Sequence, residues 1–374
     1  MVDGSLTADG GKMTKFRLTM CALLALTLFA TSGAAADLTD SLKLGKADLK
    51  SVGVLAFGPD GVLFAGDSMG GQIFAIDTQD RIPSTASAVE VMGLTGKIAA
   101  MLGTMPDQIT LNDIAVNPAS KKTYVSVSRG IGVNATPVIV RIDTTGKLEA
   151  LSLDNVKYSS VALPNPVNAS TGGRGGNSRL QAITDIAFLD NRVFVAGLSN
   201  EEFSSTLRSI AFPFNSADKG TNVEIWHGSH NQFETNSPIR TFLPYKVNGE
   251  QTILASYTCT PLVKVPVSSL KSGAKVMGTT IAEFGAGNTP LDMIAYSKGG
   301  KNYILMSNTS RGVMKFSADG LETFSPITKQ VPDKAGVPYE TIATLTNVAQ
   351  MDQFDAQRVV ILEKSGDLRT VALP

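Results

Sequence analysis

The sequence predicts an all-β chain folded as a six-bladed β-propeller. Three observations predict it: one strand–turn–strand–strand pattern recurs along the chain, its turns carry hairpin chemistry, and helical periodicity is almost absent. The copies begin at Ser51, Leu111, Ile183, Pro238, Pro290 and Thr346, about 50 to 70 residues apart. A spacing of that size is the signature of a repeat whose units bury their faces only by stacking on one another.

Taken in order, the first copy reads "SVGVLAFGPDGVLFAGDSMGGQIFAID" and the second "LNDIAVNPASKKTYVSVSRG…PVIVRID". The third is "ITDIAFLDNRVFVAGLSN…TLRSIAF" and the fourth "PIRTFLPYKVNGEQTILASYTCTPLVKVP". The fifth and sixth are "PLDMIAYSKGGKNYILMSNTSRGVMKF" and "TNVAQMDQFDAQRVVILEKSGDLRTVAL". Each strand is short, rich in Val, Ile, Phe and Tyr, and bounded by Gly, Asp, Asn or Pro. "GPDG", "VNGE" and "KSGD" supply the turns. One short helix is expected around Lys97, in "GKIAAMLG". The sixth copy ends after three strands, so "LTDSLKLG", which precedes the first copy, is the expected fourth strand closing the ring. A seventh, degenerate blade within Val156–Ile183 is the alternative.

Before the repeats, Lys15 and Arg17 precede the apolar run Leu18–Ala30, followed by small residues at Ala34 and Ala36. This is the pattern of a secretory leader, and a run of 13 residues is shorter than the roughly 20 that span a bilayer core. The expectation is a removed leader over residues 1–36 and one propeller domain over 37–374, exported to the periplasm or secreted. Basic and acidic residues balance at 33 each, which argues against a nucleic-acid partner. Cys21 falls in the leader and leaves Cys259 as the one later cysteine.

In a propeller the turns between second and third strands share a face with the connections into each inner strand. Several polar residues fall on that face. Asn112, Thr184, Asp292 and Asn347 form a series near the inner strands, with Gly53 in the first blade, and Asp113 and Asp185 follow one residue later. Oxygen ligands converging on an axis suit Ca²⁺; strand-end capping by Asp and Asn accounts for them equally well. Arg240 is the one basic residue near an inner-strand start, while Asn308 and the "SRG" turns of Arg129 and Arg311 follow second strands. Forked guanidinium donors suit a carboxylate or phosphate.

The segments "FGPDGVLFAGDSMGGQIFAID" and "LNDIAVNP" resemble the blade signatures of the SMP-30/gluconolactonase and NHL-type six-bladed propellers. That resemblance implies a divalent cation held near the axis by a Glu on the first inner strand with Asn and Asp from later blades. Asn112 and Asp292 match those later positions; Gly53 stands where the Glu would be, which removes one ligand of the lactonase chemistry.

A second site is expected off the axis. "WHGSHNQFETNSP", Trp226–Pro238, contains the only tryptophan and both histidines of the chain. It reads as the end of an outer strand near His227 and a loop on the same face as Cys259. His227, His230 and Cys259 form a set that suits zinc or copper, with Glu234 as a fourth ligand or base. Seam packing by Trp226 and local backbone contacts of the histidines are the structural alternative. The functional expectation is therefore a propeller binding a small ligand or metal ion, possible catalysis included. A lactonase-like hydrolase with axial calcium and a scaffold for another exported protein are the competing readings.

Overall fold

The computed structural model describes residues 38–169 and 177–374; the leader expected over residues 1–36 lies outside them. Among the described residues, six sheets, antiparallel but for the pairing of Thr221–His227 with Lys275–Met277, are arranged as the six blades that the repeats predict. Named in sequence order, the inner strands of blades I to VI are Leu55–Phe57, Ile109–Val116, Asp185–Leu189, Thr241–Val247, Pro290–Lys298 and Val348–Asp355. In each, hairpin register pairs the inner strand with the next one, as in Asp185↔Ala196 and Thr241↔Ser256. The expected short helix is present as Leu94–Leu102, burying Leu94, Ile98 and Ala99.

The order of blades around the ring differs from their order in the chain. The inner strand of blade I lies against those of blades II and III, and that of blade II against blade VI. The ring therefore runs I–III–IV–V–VI–II. Six buried hydrophobic clusters match its six seams. Phe64 and Ile73 meet Ile186 and Val193 between I and III. Leu63 and Ile76 meet Tyr124 and Ile139 between I and II. Val125 and Val140 meet Val360 and Leu368 between II and VI.

This order overturns the expected closure. The fourth strand of blade VI is Glu90–Val91, which pairs with Leu368 and Arg369. "LTDSLKLG" instead supplies Lys43–Gly45, an extra edge strand on blade I. Its neighbour there is Val156–Ala162, the fourth strand of blade I, so that stretch belongs to the first blade and forms no seventh. The chain leaves blade I after three strands, contributes Glu90–Val91 to blade VI, builds blade II in the gap, and then returns to finish blade I. A fourth strand need only present a compatible edge and an apolar inner side, and Val91 is buried while Glu90 faces water.

Charges reinforce the I–II seam on the opposite face. The carboxylate of Asp80, in the crossing segment, accepts from Lys122, Tyr124 and Arg141 of blade II. A buried carboxylate needs such partners, because an uncompensated charge in a core is strongly unfavourable.

Candidate functional site

The axis of the ring is a central cavity of about 680 Å³. Besides Asp355, four aspartates line it, one each from the inner strands of blades II, III, V and VI. Each carboxylate accepts the N–H of the residue that follows it and another from the next inner strand. Asp113 takes Leu55 N at 2.7 Å, Asp185 takes Phe242 N at 2.7 Å, Asp292 takes Met351 N at 2.7 Å, and Asp352 takes Val116 N at 2.6 Å. Burial raises the pKa of all four, against the pull of these N–H donors, and sets Asp185 at about 7 and Asp352 at about 6.

These bonds change the reading of the axial candidates. Asp292 has both oxygens on backbone N–H groups. Asn112 lines the cavity but turns its amide to Val52 O and Ser128 Oγ. Asn347 is exposed and stands outside the cavity wall. The three do not converge as a calcium set. The capping role foreseen for Asp113 and Asp185 is what the geometry supports, extended here into clasps between blades.

The arginines are also dispersed. Arg129 is exposed on blade II and Arg311 sits on blade V, with blade VI between them in the ring. Arg311 donates to Ala286 O and borders a second cavity of about 660 Å³ with Lys334 and Tyr339. Asn308 is buried, donating to Met306 O and Gly312 O and accepting from Asn288, so its polar atoms serve the local turn. Arg240 alone reaches the central cavity; its Nε donates to Thr258 Oγ1 at 3.2 Å, and burial lowers its pKa. No carboxylate lies within ion-pair distance of it among the described residues.

The off-axis set does converge. The outer strand Thr221–His227 ends where the sequence placed it, at the seam of blades III and IV. Ligand atoms of His227, His230 and Cys259 all lie within 4.8 Å of one another. Cys259 is carried by the tight turn Tyr257–Thr260 of blade IV. Both Cys259 (φ 65°) and Thr260 (φ 57°) adopt the left-handed conformation that non-glycine residues avoid. Cys259 N donates to Asn288 O at 2.7 Å and Thr260 N to Tyr257 O at 2.8 Å, which hold the thiol toward the histidines. Local strain of this kind recurs at functional sites.

Two glutamates flank the set. Glu234 Oε1 is 2.6 Å from His230 Nδ1, and its Oε2 is 3.0 Å from His227 Nδ1. Ser237 Oγ donates to the same Oε2 at 2.6 Å. Burial pushes the Glu234 carboxyl up, but hydrogen bonds from His227, Ser237 and His230 outweigh it and hold the group well below the usual carboxylate range. Glu283, from the outer strand Thr279–Phe284 of blade IV, accepts Gly228 N on Oε1 at 2.6 Å and has Oε2 3.9 Å from His227 Nε2. Burial raises its pKa. Gly228 is needed for that approach, since a Cβ there would lie 3.1 Å from Glu283 Oε1 and 3.2 Å from Val331.

Buried polar atoms without a hydrogen-bond partner gather at this seam. They include His227 Nε2, Ser229 Oγ and Glu283 Oε2. Such atoms are rare in folded proteins. Trp226, the strand neighbour of His227, faces the other side of the hairpin, where it donates to Lys329 O at 3.2 Å and packs edge-on against Phe233. Glu283 was not singled out by the sequence, although an acid between Ile281-Ala282 and Phe284 is a readable signal.

No family model and no curated protein matches this chain. Among solved structures it is similar to a glucose dehydrogenase-type oxidoreductase from Thermus thermophilus, with 12% identity, a TM-score of 0.38, and coverage of 88% of this chain and 100% of that one. It is also similar to a gluconolactonase from Xanthomonas campestris, with 12% identity, a TM-score of 0.33, and coverage of 88% of each chain. A third is the PQQ-bound aldose sugar dehydrogenase from Streptomyces coelicolor, with 13% identity, a TM-score of 0.32, and coverage of 88% of this chain and 95% of that one. The six-bladed propeller fold implied by the sequence resemblance stands on this chain's own sheet topology. No helix among the described residues is long and apolar enough to cross a membrane.

Proposed function

We propose that this protein is a metal-binding propeller whose ion sits at the seam of blades III and IV, held by His227, His230 and Cys259. The observation that carries the reading is the convergence of three ligand atoms from two blades within 4.8 Å. Two imidazoles and a thiolate favour zinc or copper over calcium, which takes six to eight oxygens. An axial calcium, as the lactonase reading requires, would compete with backbone N–H groups for the oxygens of Asp292.

Three protein ligands leave a coordination position for water or a small molecule, the arrangement of catalytic rather than structural zinc. His230 is the exposed member and gives that position a solvent side.

Elemental analysis of the chain purified without chelator, beside the His227→Ala/His230→Ala double variant, tests the proposal. One zinc or copper per chain, lost in the variant, is the expected result. Equal metal content in the two proteins, or none in either, would overturn it.

A further inference from the structure

An imidazole offers two nitrogens, and an ion can use only the one turned toward it. We infer that Glu234 is the positioning carboxylate of the centre: it grips both histidines by Nδ1 and so presents both Nε2 atoms, with Cys259 Sγ, to the ion. This rests on the metal reading and assigns Glu234 a role other than that of fourth ligand.

The geometry gives Glu234 one oxygen for each ring. Oε1 lies 2.6 Å from His230 Nδ1 and Oε2 lies 3.0 Å from His227 Nδ1. The His230 contact is an aligned hydrogen bond. The His227 contact has the distance of one. Acting as a ligand, Glu234 would release one of the two imidazoles. Ser237 donates to Oε2 at 2.6 Å and Gln232 Nε2 to Oε1 at 3.4 Å, so the carboxylate is itself held in place. It projects from the short strand Gln232–Glu234, which is paired directly with the strand carrying His227. Both rings and their shared carboxylate therefore move as one hairpin. The other nitrogen of His227 faces away from Glu234, with Glu283 Oε2 3.9 Å from Nε2.

A carboxylate behind a metal-bound histidine fixes its tautomer and orientation, and losing it typically weakens metal binding by about 10- to 100-fold. Two measurements test the assignment. The chain has only two histidines, so ¹⁵N-histidine labelling yields two ring systems in long-range ¹H–¹⁵N spectra of the zinc-loaded protein. Nδ1 protonated and Nε2 metal-bound in both is expected; Nδ1 bound to metal in either overturns the assignment. This experiment uses the unmodified chain and does not depend on a variant folding.

The second measurement is a Co²⁺ titration of the metal-free protein and of Glu234→Gln. The variant should keep the cobalt–thiolate absorption of Cys259 while its Kd rises by about 10- to 100-fold. An unchanged Kd would show that Glu234 positions nothing. Complete loss of binding, as expected for His227→Ala/His230→Ala, would make it a ligand. Failure of the unmodified chain to bind Co²⁺ would overturn the metal reading itself, separately from these outcomes.

Discussion

Asp113, Asp185, Asp292 and Asp352 show how one residue type can serve assembly where the sequence suggested a cation. Their oxygens occupy backbone donors on a neighbouring inner strand, and burial raises their pKa. For an acid the sign follows directly. The folded state binds the proton more tightly than the unfolded one, so the contribution to stability is full below the unfolded pKa and is lost as pH rises through the folded value. For Asp185 and Asp352 that window runs from about 4 to about 7 and about 6 respectively. Thermal melts should therefore show a Tm that declines between about pH 4 and about pH 7. Asp185→Asn should flatten part of that decline while lowering stability at pH 5, because an amide offers one oxygen for two N–H donors. An undiminished pH dependence in the variant would count against the assignment. The grouping of His227, His230 and Cys259 was legible because these residue types are scarce in the chain. The aspartates were ambiguous, since capping and coordination use the same residues at the same strand ends.

At the scale of elements, the strands with alternating apolar residues and turn residues at their ends were readable one by one. The pairing of fourth strands was not. Glu90–Val91 is two residues long and carries no periodic signal, and Val156–Ala162 lies beyond all of blade II in the sequence although it belongs to blade I. The two proposed closures make opposite demands on two side chains. Val91 is buried in the II–VI seam and Leu44 is 66% exposed on the edge strand. Val91→Ala removes two methyl groups from water-excluded contact and should cost roughly 1.5 kcal/mol, whereas Leu44→Ala should fall within about 0.5 kcal/mol of the unmodified chain. Chemical denaturation measures both, and the reverse ranking would restore closure by the N-terminal strand.

For the whole molecule, the six seam clusters mean that every blade is supported on both sides and no blade is a free edge. Residues 38–45 add only an edge strand and a short 3₁₀ turn to an already closed ring. A chain beginning at Lys46 should accordingly fold cooperatively, with a modest loss of Tm from Leu42, and should bind metal with unchanged stoichiometry. Loss of metal binding or of a cooperative melt would contradict that. The proposed metal centre depends on the ring as well, because the residues that would hold the ion come from two blades joined at one seam.

The exchanged positions of blades I and II carry a consequence in time. Val89 is tied to Thr370 across 281 residues of chain, so the strand that completes blade VI is synthesised long before its partners exist. Blades I to V can stack as they emerge, but the gap beside blade II stays open until the last strands, Arg358–Glu363 and Leu368–Ala372, leave the ribosome. Contacts this distant form slowly, and an unpaired strand edge is open to foreign pairing while it waits. The interval between the end of synthesis and the docking of blade VI is therefore when this protein is most exposed to aggregation.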